Sequence, residues 1–191
     1  MTIREVMTKN PAFCAPSSSA QTAALIMQQK DTGIVPVTED AFSRKVVGVV
    51  TDRDLCLAVL VRGRDPSHVW VEECMTRDPV TCRADEDVSA ALRLMRENQV
   101  HRIPVVDEAG NLEGIVSLGD LVRQRAISPA DLFDTLGNIC KPAEERTGGI
   151  CGQTSRMTRS AARWLEAGPT DRRGRGMSPL YTATASVPFR D

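Results

Sequence analysis

The chain contains the same unit twice. Residues 3–55 recur at 71–121. At an offset of 68, Glu5, Met7, Thr8, Pro11, Cys14, Ala23, Met27, Pro36 and Val37 fall on Glu73, Met75, Thr76, Pro79, Cys82, Ala91, Met95, Pro104 and Val105. The offset then drops to 66, and Gly48, Val50, Asp54 and Leu55 meet Gly114, Val116, Asp120 and Leu121. A two-residue loop difference between Val37 and Gly48 separates the two registers. A unit this small seldom buries its apolar face alone. Two copies packed about a pseudo-two-fold axis bury that face jointly and leave paired clefts between them, where small ligands commonly bind.

Within each copy the pattern reads short strand, helix, strand, strand, helix. Val88, Ala91, Leu92 and Met95 follow the i, i+3, i+4, i+7 spacing of one helix face, and Ala20, Ala23, Ala24 and Met27 repeat it. Asp85 is the expected cap of the second helix, and Ser17, Ser18 and Ser19 offer capping to the first. Short strands follow at Ile34–Val37 and Arg102–Val106; Pro36 and Pro104 place them at a sheet edge or a strand start. Asp107–Asn111 reads as a hairpin turn. Strands at 46–50 and 112–116 run into helices that begin at Thr51 and Ser117. The expected fold class is therefore α+β: two β-α-β-β-α repeats about a pseudo-two-fold axis. Repeat 1 spans 3–61, a linker 62–70, repeat 2 71–126, and a C-terminal extension 127–191. The extension reads as mostly disordered from about residue 142, where glycines mix with Ser, Thr and Arg, with one short helix over 158–167.

Apolar residues make up 41% of the chain but aromatics only 4%, so the core must be built from Val, Ile, Leu, Ala and Met. The net charge of −1 exerts no general pull on nucleic acid. Residues 1–141 hold 16 basic against 20 acidic groups, and 142–191 hold 8 against 5. The arginines of that basic tail lack interleaved aromatics, and nucleic acid is not an expected partner. No stretch approaches the roughly 18 apolar residues of a membrane span. The start, Met1-Thr2-Ile3-Arg4-Glu5, lacks the layout of a signal peptide. Both readings favour the cytoplasm. Six cysteines occur without a CxxC pair, and the histidines are His68 and His101, which argues for buried thiols over a metal site.

The chemistry concentrates where the last strand of each copy meets its helix: Gly48-Val49-Val50-Thr51-Asp52-Arg53-Asp54 and Gly114-Ile115-Val116-Ser117-Leu118-Gly119-Asp120. A strand entering a helix N-terminus presents unpaired N–H groups and the positive end of the helix dipole. A hydroxyl adds a donor, and a carboxylate one turn in can accept from two vicinal hydroxyls of a ribose. The same Thr/Ser-x-x-Asp spacing also reads as a helix capping box. A glycine ahead of it, found in both copies, suits close approach of a ligand to the backbone.

Taken together, Val6-Met7-Thr8-x-x-Pro11, Cys74-Met75-Thr76-x-x-Pro79, the two Pro-Val strands and the two Gly-to-Asp motifs resemble a tandem pair of CBS domains, also called a Bateman module. The resemblance covers about residues 3–125. It implies a regulatory module without catalytic residues that binds an adenosine-containing ligand, AMP or ATP foremost, with ADP, NAD or S-adenosylmethionine in the same class. By the resemblance, Asp54 and Asp120 hold ribose hydroxyls, Thr51 and Ser117 lie near ribose and phosphate, and backbone at Val35 and Ile103 meets the adenine edge. His101 and Arg102 resemble a phosphate-binding pair, and Arg102 suits that role as a permanent cation with forked donors. Gly33-Ile34 replace that pair in the first copy, so the clefts should be unequal, and the cleft joining Asp54 to Arg102 should hold phosphate better. Arg53, Lys9 and Arg77 are further candidates to lend charge. The resemblance implies a homodimer that signals to an unknown effector protein on a separate chain, with no metal and no catalytic cofactor. The competing reading is an interaction scaffold whose clefts no longer bind ligand.

Overall fold

The computed structural model describes residues 1–40 and 42–141, which fall within one compact unit, Met1–Gly149. The disorder expected from about residue 142 and the helix expected over 158–167 lie outside the described residues. In the first repeat a short helix α1 (Ile3–Val6) leads into β1 (Thr8–Lys9), α2 (Ala20–Lys30), β2 (Ile34–Thr38), β3 (Val46–Thr51) and α3 (Asp52–Cys56), which continues as a π-helical turn over Leu57–Val61. The second repeat gives β4 (Thr76–Arg77), β5 (Cys82–Arg83), α4 (Val88–Asn98), β6 (Arg102–Val106), β7 (Leu112–Ser117) and α5 (Leu118–Arg123). A final helix, α6 (Pro129–Ile139), follows the second repeat.

Local chemistry sets the helix boundaries. Ser19 Oγ accepts from Thr22 N at 3.1 Å and starts α2. The α4 cap is Asp87, not Asp85: Asp87 Oδ1 accepts from Ser89 N at 3.0 Å. Asp85 is instead drawn back to Arg83, whose Nε donates to it at 3.2 Å. Val88, Ala91, Leu92 and Met95 are all buried, as their spacing predicts. On α2 the stripe is narrower, because Ala20, Ala23 and Met27 are buried while Ala24 faces solvent.

The two repeats exchange their first strands. β1 pairs antiparallel with β7 of the second repeat, Lys9 opposite Gly114, and β4 pairs with β3 of the first, Arg77 opposite Gly48. The sheets run β1-β7-β6-β5 and β2-β3-β4. The motif glycines make this crossing possible. A Cβ at Gly48 would stand 2.9 Å from both Met75 Sδ and Thr76 O, and one at Gly114 would stand 2.7 Å from Met7 Sδ and 2.8 Å from Thr8 O. Glycine is thus required by the exchanged strand, not by a ligand, and the Met-Thr pairs and the glycines are two halves of one contact.

The prolines need one correction. β2 is an edge strand of its sheet, but β6 lies between β7 and β5. Pro104 is tolerated there because the parallel pairing with β5 engages Val105 and Val106. The first repeat shows the hydrogen bonds involved: Cys14 N donates to Pro36 O at 3.1 Å and Thr38 N to Cys14 O at 2.9 Å. The N–H that proline lacks has no place in that pattern.

Each core is completed by residues from the start of the other repeat. Ile3, Val6 and Met7 pack with Met95, Ile103, Val105 and Leu121, joined by Ile139 of α6. Val69, Val71, Cys74 and Met75 pack with Ala23, Met27, Val35 and Val50. A smaller apolar contact of Ile34, Val49 and Ile115 joins the strands of the two repeats.

Candidate functional site

Thr51 and Ser117 are extended residues that end β3 and β7 and cap the helices behind them. Thr51 Oγ1 accepts from Asp54 N at 3.3 Å, while Asp54 Oδ2 accepts from Thr51 N at 3.0 Å and from Thr51 Oγ1 at 2.7 Å. Ser117 and Asp120 make the same set, at 3.0, 3.0 and 2.6 Å. Both motifs are therefore capping boxes, the second of the two readings their spacing allowed. They differ in the remaining carboxylate oxygen. Asp120 Oδ1 is held by the Arg123 guanidinium, and the residue is only 7% exposed. Asp54 is half-buried, and its Oδ1 has no hydrogen-bond partner among the described residues. Asp54 keeps an acceptor to offer, whereas Asp120 has both oxygens committed.

His101, Arg102 and Ser117 line one open groove of about 530 Å³, walled on one side by Leu132 and Leu136 of α6. Asp120 does not line it, and neither do Thr51, Asp54, Val35 or Ile103. Arg102 connects the repeats. A Cβ built on Gly33 would stand 3.6 Å from Arg102 Nη1 and 2.9 Å from Asp52 Oδ2. The guanidinium of the second repeat thus lies over the bare backbone that enters β2 of the first, beside the start of α3. Gly33 O accepts Asp52 N at 3.2 Å, as His101 O accepts Leu118 N at 2.9 Å. Where the second repeat offers a cation, the first offers Ile34, which is consumed in the apolar contact between the strands.

Val35 and Ile103 have no exposed surface. Pro36 turns its C=O towards Cys14, so strand alternation directs the N–H and C=O of Val35 into the β2–β3 ladder. The outward groups at the start of β2 belong to Ile34, whose N–H meets Thr32 Oγ1 at 3.4 Å and whose C=O accepts from it at 3.2 Å. Of the other cations, Arg53 is exposed on α3, Arg77 donates to Glu72 O at 3.5 Å, and Lys9 lines a separate groove.

Asp52, Leu132 and Leu136 also stand at this site, outside the residues that the repeated motifs share. Their signals are present in the sequence: Asp52 is a carboxylate where the second repeat has Leu118, and Ser128-Pro129-x-Asp131 is a helix start with a capping hydroxyl and proline in the first turn.

The thiols are of two kinds. Cys14, Cys74 and Cys82 are buried, and burial pushes them up to about 12, 11 and 12 respectively, which keeps them protonated and poorly nucleophilic. Cys56 and Cys140 are exposed, against the expectation of buried thiols. Among the described residues no three His, Cys, Asp or Glu side chains gather as metal ligands, and no helix is long and apolar enough to cross a membrane.

The family model of the CBS domain matches residues 3–61 and again 71–126. CBS domain-containing protein YhcV of Bacillus subtilis is 36% identical over 119 residues, covering 62% of this chain and 81% of that protein. Among solved structures, CBSX2 in complex with AMP superposes with a TM-score of 0.55 at 31% identity, over 65% of this chain and 95% of that one; CBSX2 is from Arabidopsis thaliana. The CBS domain pair of protein MJ0100, in complex with 5′-methylthioadenosine and S-adenosyl-L-methionine, has a TM-score of 0.58 at 26% identity, over 65% and 95% of the two chains.

Proposed function

The chain belongs to the CBS domain family, and on that premise we propose that it is a non-catalytic sensor of an adenine nucleotide, bound between the repeats with Asp54 and Arg102 as its principal contacts. The position of Arg102 over Gly33 carries this reading. It sets a permanent, forked donor from one repeat beside the helix start of the other, where the spare Asp54 oxygen can accept from a ribose hydroxyl. The purine edge would then meet the outward backbone of Ile34, with the Thr32 hydroxyl giving way, in place of Val35 and Ile103. Similarity to proteins solved with AMP and with methylthioadenosine and S-adenosylmethionine supports adenosine as the common element. A guanidinium attracts phosphate and repels a sulfonium, so Arg102 favours AMP or ATP over S-adenosylmethionine.

The module would act in the cytoplasm as a homodimer and signal to a separate effector chain. Leu60 and Val61, 72% and 76% exposed on the π-helical turn, support a partner copy over that face. Binding would shift its conformational equilibrium only by the ligand's differential affinity for the two states. One observation favours the scaffold reading: Arg123 occupies the oxygen that Asp120 would offer to a ribose at the second cleft. Thermal denaturation with AMP, ATP, NAD and S-adenosylmethionine separates the readings. At a hundredfold excess over Kd a bound nucleotide adds about 2.7 kcal/mol and raises the melting temperature by several degrees. A scaffold would show no shift with any of the four.

A further inference from the structure

A second groove of about 580 Å³ lies at the far end of β7 from Ser117, lined by Arg4, Lys9, Arg44, Asp107 and Glu113 among others. Its residues Lys9, Leu112 and Glu113 sit three to five residues along β7 from Ser117, about 10–17 Å from that end of the strand. Arg44 is fixed in place. Its Nε donates to Leu112 O at 3.0 Å, and its Cζ stands 5.6 Å from the centre of the Phe13 ring. Its Nη2 is nevertheless buried with no hydrogen-bond partner. An unmade bond from a buried charged donor is costly, and folded proteins leave few of them.

The neighbouring carboxylates do not supply the missing acceptor. Asp107 Oδ1 accepts from Ala109 N at 2.9 Å and Asn111 N at 2.8 Å, and Oδ2 accepts from Asn111 Nδ2 at 2.9 Å. Glu113 is paired with Arg4 at 3.4 Å. Lys9 makes no ion pair among the described residues. Three cations thus face two carboxylates that are already engaged. Repetition does not explain the cluster either, for the registers that align the repeats put Glu72 at the place of Arg4 and Gly110 at that of Arg44. Arg4 and Arg44 are thus outside the repeated framework, while Lys9 has Arg77 as its counterpart.

We propose that this groove is a binding site for a phosphate-type oxyanion, with Arg44 and Lys9 as its ligands, separate from the cleft of Arg102. A tetrahedral oxyanion in the groove would neutralise the Lys9 ammonium and the Arg44 guanidinium together. The chemistry is shared by free phosphate or pyrophosphate and by the phosphate chain of a nucleotide.

Pyrophosphate titrated calorimetrically into the full chain carrying Arg102→Ala tests the site apart from the adenosine cleft. One saturable site per chain is expected, weakened about tenfold or more by adding Lys9→Gln or Arg44→Gln, the loss of one charge-assisted contact. Lys9 is exposed, so Lys9→Gln leaves the fold intact even if Arg44→Gln does not. Displacement of pyrophosphate by AMP in the same variant would assign the site to nucleotide phosphates, and displacement by inorganic phosphate alone would assign it to free oxyanions; both uphold it. Absence of saturable binding, or binding that neither Lys9→Gln nor Arg44→Gln weakens, overturns it.

Discussion

Asp54 and Asp120 cap their helices in the same way, yet only Asp54 has an oxygen to spare. The two aspartates should therefore separate in a mutational test. Asp54→Ala and Asp120→Ala should each lower stability by about 0.5–2 kcal/mol in denaturant melts, the usual loss for a cap. Only Asp54→Ala should also weaken AMP binding; an equal loss in Asp120→Ala would place ribose at the second cleft as well. The sequence made both carboxylates visible because their i, i+3 spacing from Thr51 and Ser117 recurs in each copy. It could not reveal the Arg123 contact, since an arginine three residues after Asp120 reaches back or outward according to its rotamer.

The exchange of β1 and β4 is the structural event on which the elements depend. A methyl at Gly48 or Gly114 would press on a backbone carbonyl, Thr76 O or Thr8 O, which cannot swing away as a side-chain end would. Gly48→Ala and Gly114→Ala should each cost about 1–3 kcal/mol. Gly137→Ala, inside α6 with nothing near the added Cβ, should instead stabilise by about 0.5–1 kcal/mol. Urea melts of the three variants check this, and a harmless Gly114→Ala would refute the close contact. The Met-Thr pairs and the glycines were each legible as repeated residues. Their contact was not, because Met7 meets the glycine of the other repeat, and nothing in a repeat says which copy its strand will join. The helix faces were legible because 3.6-residue periodicity is local. The cap at Asp87 was not, because Asp85 and Asp87 are equally good cap residues until Arg83 claims one of them.

For the whole molecule, the interlocked cores make the two repeats one folding unit, and three buried thiols tie its stability to pH. Cys14 and Cys74 lie in one core and Cys82 in the other. Folding raises them from 9.0 to about 12, 11 and 12. The unfolded chain releases these protons near pH 9 while the folded chain holds them. Their contribution is thus complete below pH 9 and is lost as pH climbs from 9 towards 11–12. Melting temperatures at pH 8 and pH 10.5 should fall more for the native chain than for Cys14→Ala; parallel losses would show that other groups govern the alkaline limit. The pairing of repeats and their family were legible from the duplicated motifs. The position of Arg102 over the other copy's Gly33 was not, since it depends on how the repeats dock.

That position is also where the account is most directly exposed. Isothermal titration of AMP and of adenosine into the native chain and into Arg102→Ala compares the two ligands with and without the guanidinium. The account predicts that AMP binds, that Arg102→Ala weakens AMP about tenfold or more, and that adenosine is nearly unaffected. Equal losses for AMP and adenosine, or no AMP binding to the native chain, would contradict it.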